Sequence, residues 1–198
     1  MLPTSGRLAE QLHFVTEIDR LKGVLRQTTL MDASRRENSA EHSWHLALMA
    51  VVLAEYAPAE TDLTRVLEML LLHDVIEIEA GDTFCYDAAA NLDKAAREQA
   101  AATYTFGLLP DDLNARLRTL WNEFEAGATN EARFANALDR LQPLLANFHT
   151  GGGTWPLHNA TQPQVLKRMQ PIEQGAPELW PFVVNLIDEA CERGFLAR

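Results

Sequence analysis

The chain has 198 residues, of which 28 are acidic and 17 are basic, and its formal net charge is -11. A surface this acidic repels polyanions, which argues against long nucleic acid as a partner and leaves small phosphorylated molecules, whose charge local arginines or a metal ion can offset. Hydrophobic residues make up 47% and charged residues 23% of the chain, a composition that excludes disorder over most of its length and suits one globular domain.

In chain order, apolar residues at helical spacing predict a series of helices, and the alternation typical of strands is almost absent. The predicted helices cover 8–25, Ser39 to near Tyr56, Thr61 or Asp62 toward Ile78, 88–106, Pro110 to before Gly127, Asn130 toward Phe148, 162–169 and 177–193. Ser39 is predicted to cap the second helix and Thr61 or Asp62 the third, and Gly81 is predicted to mark the exit of the third. Pro143 lies inside one of them and predicts a kink or a restart there, and Gly151–Gly153 predicts a loop. No linker-like segment divides the chain, so we predict a single all-α domain.

The cysteine content and the length of the apolar segments predict the cellular location. Its two cysteines, Cys85 and Cys191, are too few for a disulfide scaffold and indicate reduced thiols. The stretch 1–6 has no basic side chain, and no apolar run of signal-peptide length follows it. The longest apolar stretches also fall short of the ~20 residues that span a bilayer. The sequence therefore predicts a cytoplasmic protein without a membrane anchor.

Four side chains that can bind a metal stand in apolar, helical surroundings. His42 lies one turn into its helix, His73 and Asp74 end a very apolar run, and Asp139 is flanked by leucines. Burial of such charges is costly unless they are paired or bind a metal. Two imidazoles and two carboxylates suit a divalent first-row ion that keeps room for water, and such an ion activates water and polarises a phosphoryl oxygen. His45 is a further possible ligand, although a packing role is favoured.

Four segments carry a resemblance to a known family. Together they resemble the HD-domain superfamily of metal-dependent phosphohydrolases, in its branch of 5′-deoxynucleotidases and HD domain-containing protein 2. The segments are 35–43 (RRENSAEHS), 73–83 (HDVIEIEAGDT), 137–143 (ALDRLQP) and 147–158 (NFHTGGGTWPLH). The resemblance implies a helical bundle of the HD type over 1–198, with a core over about 12–150 and C-terminal helices over 160–196 packed on it.

The same resemblance implies roles for individual residues. His42, His73, Asp74 and Asp139 would bind one divalent ion, which could be manganese, cobalt, nickel, iron, magnesium or zinc. The remaining roles are an acid/base function for Glu77, a sugar-contacting and catalytic role for Asp82, and phosphate binding by Arg26, or by Arg35 or Arg36 in its place.

The activity implied is hydrolysis of (deoxy)nucleoside 5′-monophosphates to nucleoside and phosphate. Gln27 stands where similar deoxynucleotidases carry Trp, so the sugar and base preferences stay open. A homodimer is implied by analogy, through apolar helices such as Pro177–Phe195.

Three alternatives remain open at this point. The chain could carry out another HD reaction, as a phosphodiesterase or a nucleoside triphosphate hydrolase. It could be a non-catalytic helical protein that binds a metal or a nucleotide. Its four ligands could also close a tetrahedral structural zinc site, and the number of open coordination positions separates that case from a catalytic one.

Overall fold

A computed structural model describes residues 3–81 and 93–198. Helices dominate these residues, which confirms the predicted all-α class. The α-helices are α1 Arg7–Glu17, α2 Ser39–Val52, α3 Leu63–Leu72, α4 Glu77–Ala80, α5 Lys94–Phe106, α6 Asp111–Ala126, α7 Asn130–His149, α8 Gln162–Gly175 and α9 Trp180–Glu192. No helix within the two described ranges is long and apolar enough to cross a membrane.

The start of the chain differs from the predicted single helix over 8–25. Helix α1 ends at Glu17, a 3-10 turn follows over Ile18–Gly23, and the chain then forms strand β1, Leu25–Thr29. Strand β1 pairs antiparallel with β2, Arg36–Asn38. The apolar spacing continues through this region, but Gly23 weakens a helix and the hydrogen bonds to β2 favour an extended backbone. The small sheet places Arg26 beside α7.

Helix α2 begins directly after β2, at the predicted Ser39, but its cap is Asn38. The Asn38 side chain accepts a hydrogen bond from the Glu41 backbone N–H at 3.0 Å, and the Glu41 carboxylate accepts one from the Asn38 N–H at 2.8 Å. This capping box satisfies two N–H groups that the helix leaves open. The Ser39 hydroxyl, predicted as the cap, is therefore available for another partner.

The predicted helix toward Ile78 is divided in two. Asp62, one of the two predicted caps, caps α3, but α3 ends at Leu72 and a turn separates it from α4. Helix α4 ends at Ala80, and Gly81 follows it with a φ of 74°. The turn places His73 and Asp74 at a helix end. Residues 88–92 of the next predicted helix lie outside the described residues.

Helix α7 is the central element. It continues from Asn130 to His149 through Pro143 without a restart. Helix α8 packs along α7, and α2, α3 and α6 also pack against it. At the α7–α8 contact a Cβ on Gly175 would lie 2.0 Å from the Arg133 carbonyl oxygen, so only glycine permits this approach. The largest apolar core forms around α7, and Asp139 lies at one edge of it.

Candidate metal centre

Three helices bring His42, His73 and Asp139 together. His42 lies in the first turn of α2, His73 caps the end of α3, and Asp139 occupies the middle of α7. All three side chains are buried. His42 Nε2 lies 3.1 Å and His73 Nε2 3.8 Å from Asp139 Oδ1. One ligand atom from each residue lies within 4.8 Å of the other two, which is close enough for one ion to contact all three.

The surroundings of His73 fix which of its nitrogens is available. Its Nδ1 lies 2.9 Å from the Leu70 carbonyl oxygen, which can only accept, so Nδ1 carries the proton. The Phe124 ring packs at 4.9 Å between centroids, and Trp121 Nε1 donates to the His73 carbonyl at 3.3 Å. Nε2 therefore presents a lone pair, and it has no hydrogen-bond partner among the described residues. A backbone carbonyl behind a histidine in this way is the usual support of a metal ligand.

His42 is supported in a similar way. Its Nδ1 lies 3.2 Å from Glu37 Oε2, within ion-pairing distance although not aligned as a hydrogen bond. With the proton on Nδ1, the Nε2 lone pair faces Asp139 Oδ1. The cluster then brings two nitrogen lone pairs against one carboxylate oxygen, and acceptors that face each other in a buried site need a cation between them. The chemistry of the donor set therefore fits a divalent ion.

The pKa shifts of His42 and Asp139 also indicate that the cluster favours an added positive charge. Burial and the Arg26 charge act to lower the pKa of His42, but Asp139, Glu37 and Asp74 outweigh them and the pKa is raised. Burial lowers the pKa of His73. The pKa of Asp139 lies well below its usual value because the Arg140 charge and the two imidazoles outweigh burial, which acts to raise it. Either a proton on His42 or a bound cation can neutralise the cluster.

Asp74 lies beside the set of three rather than within it. Its Oδ1 is 3.1 Å from His73 Nε2, and its Oδ2 accepts a hydrogen bond from Arg26 Nη1 at 2.8 Å. One oxygen thus faces the cluster and the other is held by a guanidinium. The role of Asp74 as a fourth ligand stays a prediction.

A cavity of about 300 Å³ opens beside the cluster. His73, Asp74 and Asp139 line it, so the side of the cluster opposite the core is accessible to a small molecule. The cationic side chains at its wall are Arg26, Lys94, Arg140 and Arg168. Arg140 Nη1 donates to Asp139 Oδ2 at 2.5 Å. The apolar wall is formed by Ile76, Phe124, Pro143, Leu144, Trp155 and Met169.

Only some of the other predicted site residues lie at the cavity. Glu77 lines the cavity, and its Oε2 accepts a hydrogen bond from the Ser39 hydroxyl at 2.7 Å. Arg35 is exposed and pairs with Glu41 at 2.6 Å, and it is not among the residues that line the cavity. Asp82 lies outside the described residues. The structure thus brings Arg26 and Glu77, but not Arg35, to the cavity beside the cluster.

Sequence reasoning missed several residues at this site. Arg140 follows Asp139 directly and could have been noticed from that position. Gln142 is one helical turn after Asp139, but its partner Glu37 is 105 residues away, and no sequence signal joins them. Arg168 and Lys94 come from α8 and α5, and only the packing of those helices on the cavity identifies them.

Comparison with known proteins agrees with this geometry. The family model for the HD domain matches residues 18–180. The crystal structure of a predicted metal-dependent phosphohydrolase from Magnetospirillum magnetotacticum superimposes with a TM-score of 0.95 over all of both chains, at 54% identity. The 5′-deoxynucleotidase HDDC2 of Mus musculus is 30% identical over 73% of this chain and 71% of its own length. The Bos taurus protein of the same name is 31% identical over 71% and 68%. This chain therefore belongs to the HD-domain family of metal-dependent phosphohydrolases.

Proposed function

We propose that this protein hydrolyses nucleoside 5′-monophosphates, including deoxynucleotides, to nucleoside and phosphate with one divalent metal ion. His42, His73 and Asp139 would hold the ion, with Asp74 as the fourth ligand. The observation that carries the proposal is the opening of this cluster onto a cavity whose wall includes Arg26, Arg140 and Arg168. A structural zinc site is closed by its four protein ligands, whereas a catalytic site keeps a position open.

The size and wall of the cavity favour a single nucleotide. A volume of about 300 Å³ lies at the lower end of the range for small-molecule sites, which fits one nucleotide. The apolar residues at the wall suit a sugar and a base, and the arginines suit a phosphate. Both HDDC2 relatives are named as 5′-deoxynucleotidases, which supports the monophosphate as substrate.

Side chains of this protein supply phosphate binding and proton transfer, which are the roles that the metal ion does not fill. A bound ion would supply Lewis-acid activation of water and of a phosphoryl oxygen. Arg26 and Arg140 hold phosphate oxygens, because both line the cavity next to the metal site, where Arg26 contacts Asp74 and Arg140 contacts Asp139. Glu77 takes the proton of the attacking water, since the Ser39 hydroxyl fixes one of its oxygens and the carboxylate faces the cavity. Asp82, predicted to contact the sugar, remains part of the proposal.

The test is phosphate release from a panel of ribo- and deoxynucleoside monophosphates with manganese or cobalt. Glu77→Ala and Asp74→Ala should each lower turnover at least about 100-fold, in line with removal of a general base or of a metal ligand. Glu68→Ala removes an exposed carboxylate that pairs with Arg116 and serves as the control. Unchanged turnover in both site variants would contradict the proposal. Activity only on diesters or on triphosphates would favour another HD reaction.

We also propose that the protein is a cytoplasmic homodimer. Helix α2 presents an exposed apolar face at helical spacing, formed by Trp44, Leu48, Val51 and Val52, and such a face favours association. Helix α9, within the predicted dimer segment, buries Val183, Leu186, Ile187 and Ala190 in the core of its own chain. Leu48→Lys should therefore dissociate the dimer in light scattering, and Phe182→Lys on α9 should leave it intact. The reverse result would place the interface on α9.

A further inference from the structure

Glu37 is a buried carboxylate that the proposed mechanism does not use. It lies in β2, immediately before the cap of α2, and only 3% of its surface is exposed. A carboxylate at this depth is destabilising unless several groups stabilise its charge. The positions of its partners therefore indicate what it does.

Each oxygen of Glu37 faces a different part of the site. Oε1 accepts a hydrogen bond from Gln142 Nε2 on α7 at 2.8 Å. Oε2 lies 3.2 Å from His42 Nδ1 and 3.5 Å from Arg26 Nε, which are ion-pairing distances without the alignment of a hydrogen bond. The carboxylate is thus anchored by one helix while its second oxygen stands between a histidine of the metal cluster and an arginine of the cavity.

For His42 this arrangement decides which nitrogen can bind a metal. A carboxylate next to Nδ1 holds the ring proton there and leaves the lone pair on Nε2. Nε2 is the atom that lies 3.1 Å from Asp139 Oδ1. With the proton on Nε2 instead, His42 would donate to Asp139 and could not act as a ligand.

For Arg26 the same carboxylate fixes the direction of the side chain. Its Nε lies toward Glu37, and its Nη1 donates to Asp74 Oδ2 at 2.8 Å. A guanidinium is planar, so contacts at two of its nitrogens fix the plane of the whole group. Arg26 lines the cavity, so the orientation of this plane bears on how a ligand is held there.

We propose that Glu37 is a positioning residue that sets the His42 tautomer and the Arg26 orientation together, and so couples metal binding to phosphate binding. The inference rests on the metal centre of the proposed function. It goes further because it assigns both properties to one side chain that contacts neither the ion nor the phosphate.

The test is Glu37→Gln in the full chain, which keeps the shape and removes the charge. The amide can still accept from Gln142, but its NH2 group then faces the donors of His42 and Arg26. Moving the His42 proton to Nε2 relieves the conflict at His42, and the Arg26 side chain must turn away to relieve the other. We expect manganese and cobalt to bind about 10- to 100-fold more weakly, as for other partners behind a metal ligand, and the cobalt absorption spectrum to change. The KM for nucleoside monophosphate should rise as well.

Glu41→Gln is the matched control. Glu41 is a carboxylate at the same strand–helix junction, but it pairs with Arg35 and closes the capping box, which glutamine also does. Metal affinity should be unchanged in this variant. If Glu37→Gln is not recovered folded, Glu37→Asp serves in its place. Aspartate keeps the negative charge on a side chain that is one methylene shorter, so it should weaken metal binding by less than the roughly 10- to 100-fold expected for glutamine.

The outcomes separate this inference from the proposed function. If calorimetry detects no metal binding to the parent protein, or if Asp139→Asn binds metal equally well, the metal centre itself is wrong. If the parent protein binds metal, Asp139→Asn does not, and both Glu37 variants match the parent in affinity and cobalt spectrum, Glu37 is only structural. A change in the unfolding temperature of the metal-free protein without a change in metal affinity would also make Glu37 a purely structural residue.

Discussion

Asp139 and Glu123 are both carboxylates on neighbouring helices, and they have opposite kinds of surroundings. Glu123 on α6 receives only donors: Arg65 Nε lies 3.2 and 3.1 Å from its two oxygens, and the Thr129 hydroxyl donates at 2.7 Å. Asp139 on α7 receives Arg140 at Oδ2, but its Oδ1 faces the Nε2 atoms of two histidines.

The difference separates a structural ion pair from a binding site. The Arg65–Glu123 pair is complete as it stands, since every polar contact joins a donor to an acceptor. The Asp139 cluster is incomplete when its neutral imidazoles carry their protons on Nδ1, because acceptors then face acceptors. A fold retains such a cluster at the edge of its core when something else supplies the missing positive charge.

The largest effect is expected from Asp139→Asn. The amide carries no charge, and its single oxygen can accept from Arg140 or face the two histidines but not both, so the ion loses the centre of its ligand set. Nucleotidase turnover should fall by more than about 100-fold, because even the residues that only hydrogen-bond to a metal ligand are typically worth about 10- to 100-fold. Phosphate release is the measurement, and circular dichroism of the metal-free variant checks its fold. If the variant keeps activity within about tenfold of the parent, Asp139 is not a metal ligand.

Metal addition should stabilise the cluster and leave the Arg65–Glu123 pair unaffected. A ligand that binds only the folded chain at 100 times its Kd raises the free energy of unfolding by about 2.7 kcal/mol, which is roughly 5 to 11 °C in Tm for a chain of this length. Calorimetric scans with manganese and with a chelator measure the shift. The shift should persist in Glu123→Gln and disappear in Asp139→Asn; an equal shift in both variants would show that the ion binds elsewhere.

Arg26→Ala should act on substrate binding. The guanidinium lines the cavity and is held by Asp74, and loss of hydrogen bonds to a charged group is worth about 1.5–3 kcal/mol. We expect KM for the nucleotide to rise about 10- to 100-fold. Arg35→Ala removes an exposed guanidinium paired with Glu41 and should change KM by less than about threefold. If steady-state kinetics show an equal rise in KM for Arg26→Ala and Arg35→Ala, Arg35 belongs to the substrate site.

The smallest effect is expected from Glu123→Gln. Arg65, more than any other group, lowers the pKa of Glu123 in the folded chain. Its contribution to stability is therefore fully present above the ordinary glutamate pKa and is lost as the pH falls through the lowered value. The variant should lose about 1 kcal/mol or less at neutral pH, and the difference should vanish in acid. Urea unfolding at several pH values measures it, and a loss that grows in acid would have the wrong sign.

Local signals in the sequence predicted much of the fold. Asp62 as the cap of α3, the end of α6 at Gly127 and the exit at Gly81 all depend on neighbouring residues, and the structure confirms them. The start of the chain was predicted wrongly because β1 depends on hydrogen bonds to β2, a segment several residues further along. Periodicity in the sequence carries no information about such a partner.

The candidate site, like the fold, could be predicted from the sequence only in part. His42, His73 and Asp139 could be predicted as one set from residue types and from the resemblance, since buried charges in apolar helices require an explanation within the sequence itself. The contacts among Glu37, Gln142 and Arg26 could not, and neither could the position of Arg35 outside the cavity or of Arg168 at its wall. The sequence by itself determined which groups can bind a cation. Only the packing of β1, α2, α3 and α7 decided which atoms face one another, because the direction of a side chain depends on neighbours that are distant along the chain.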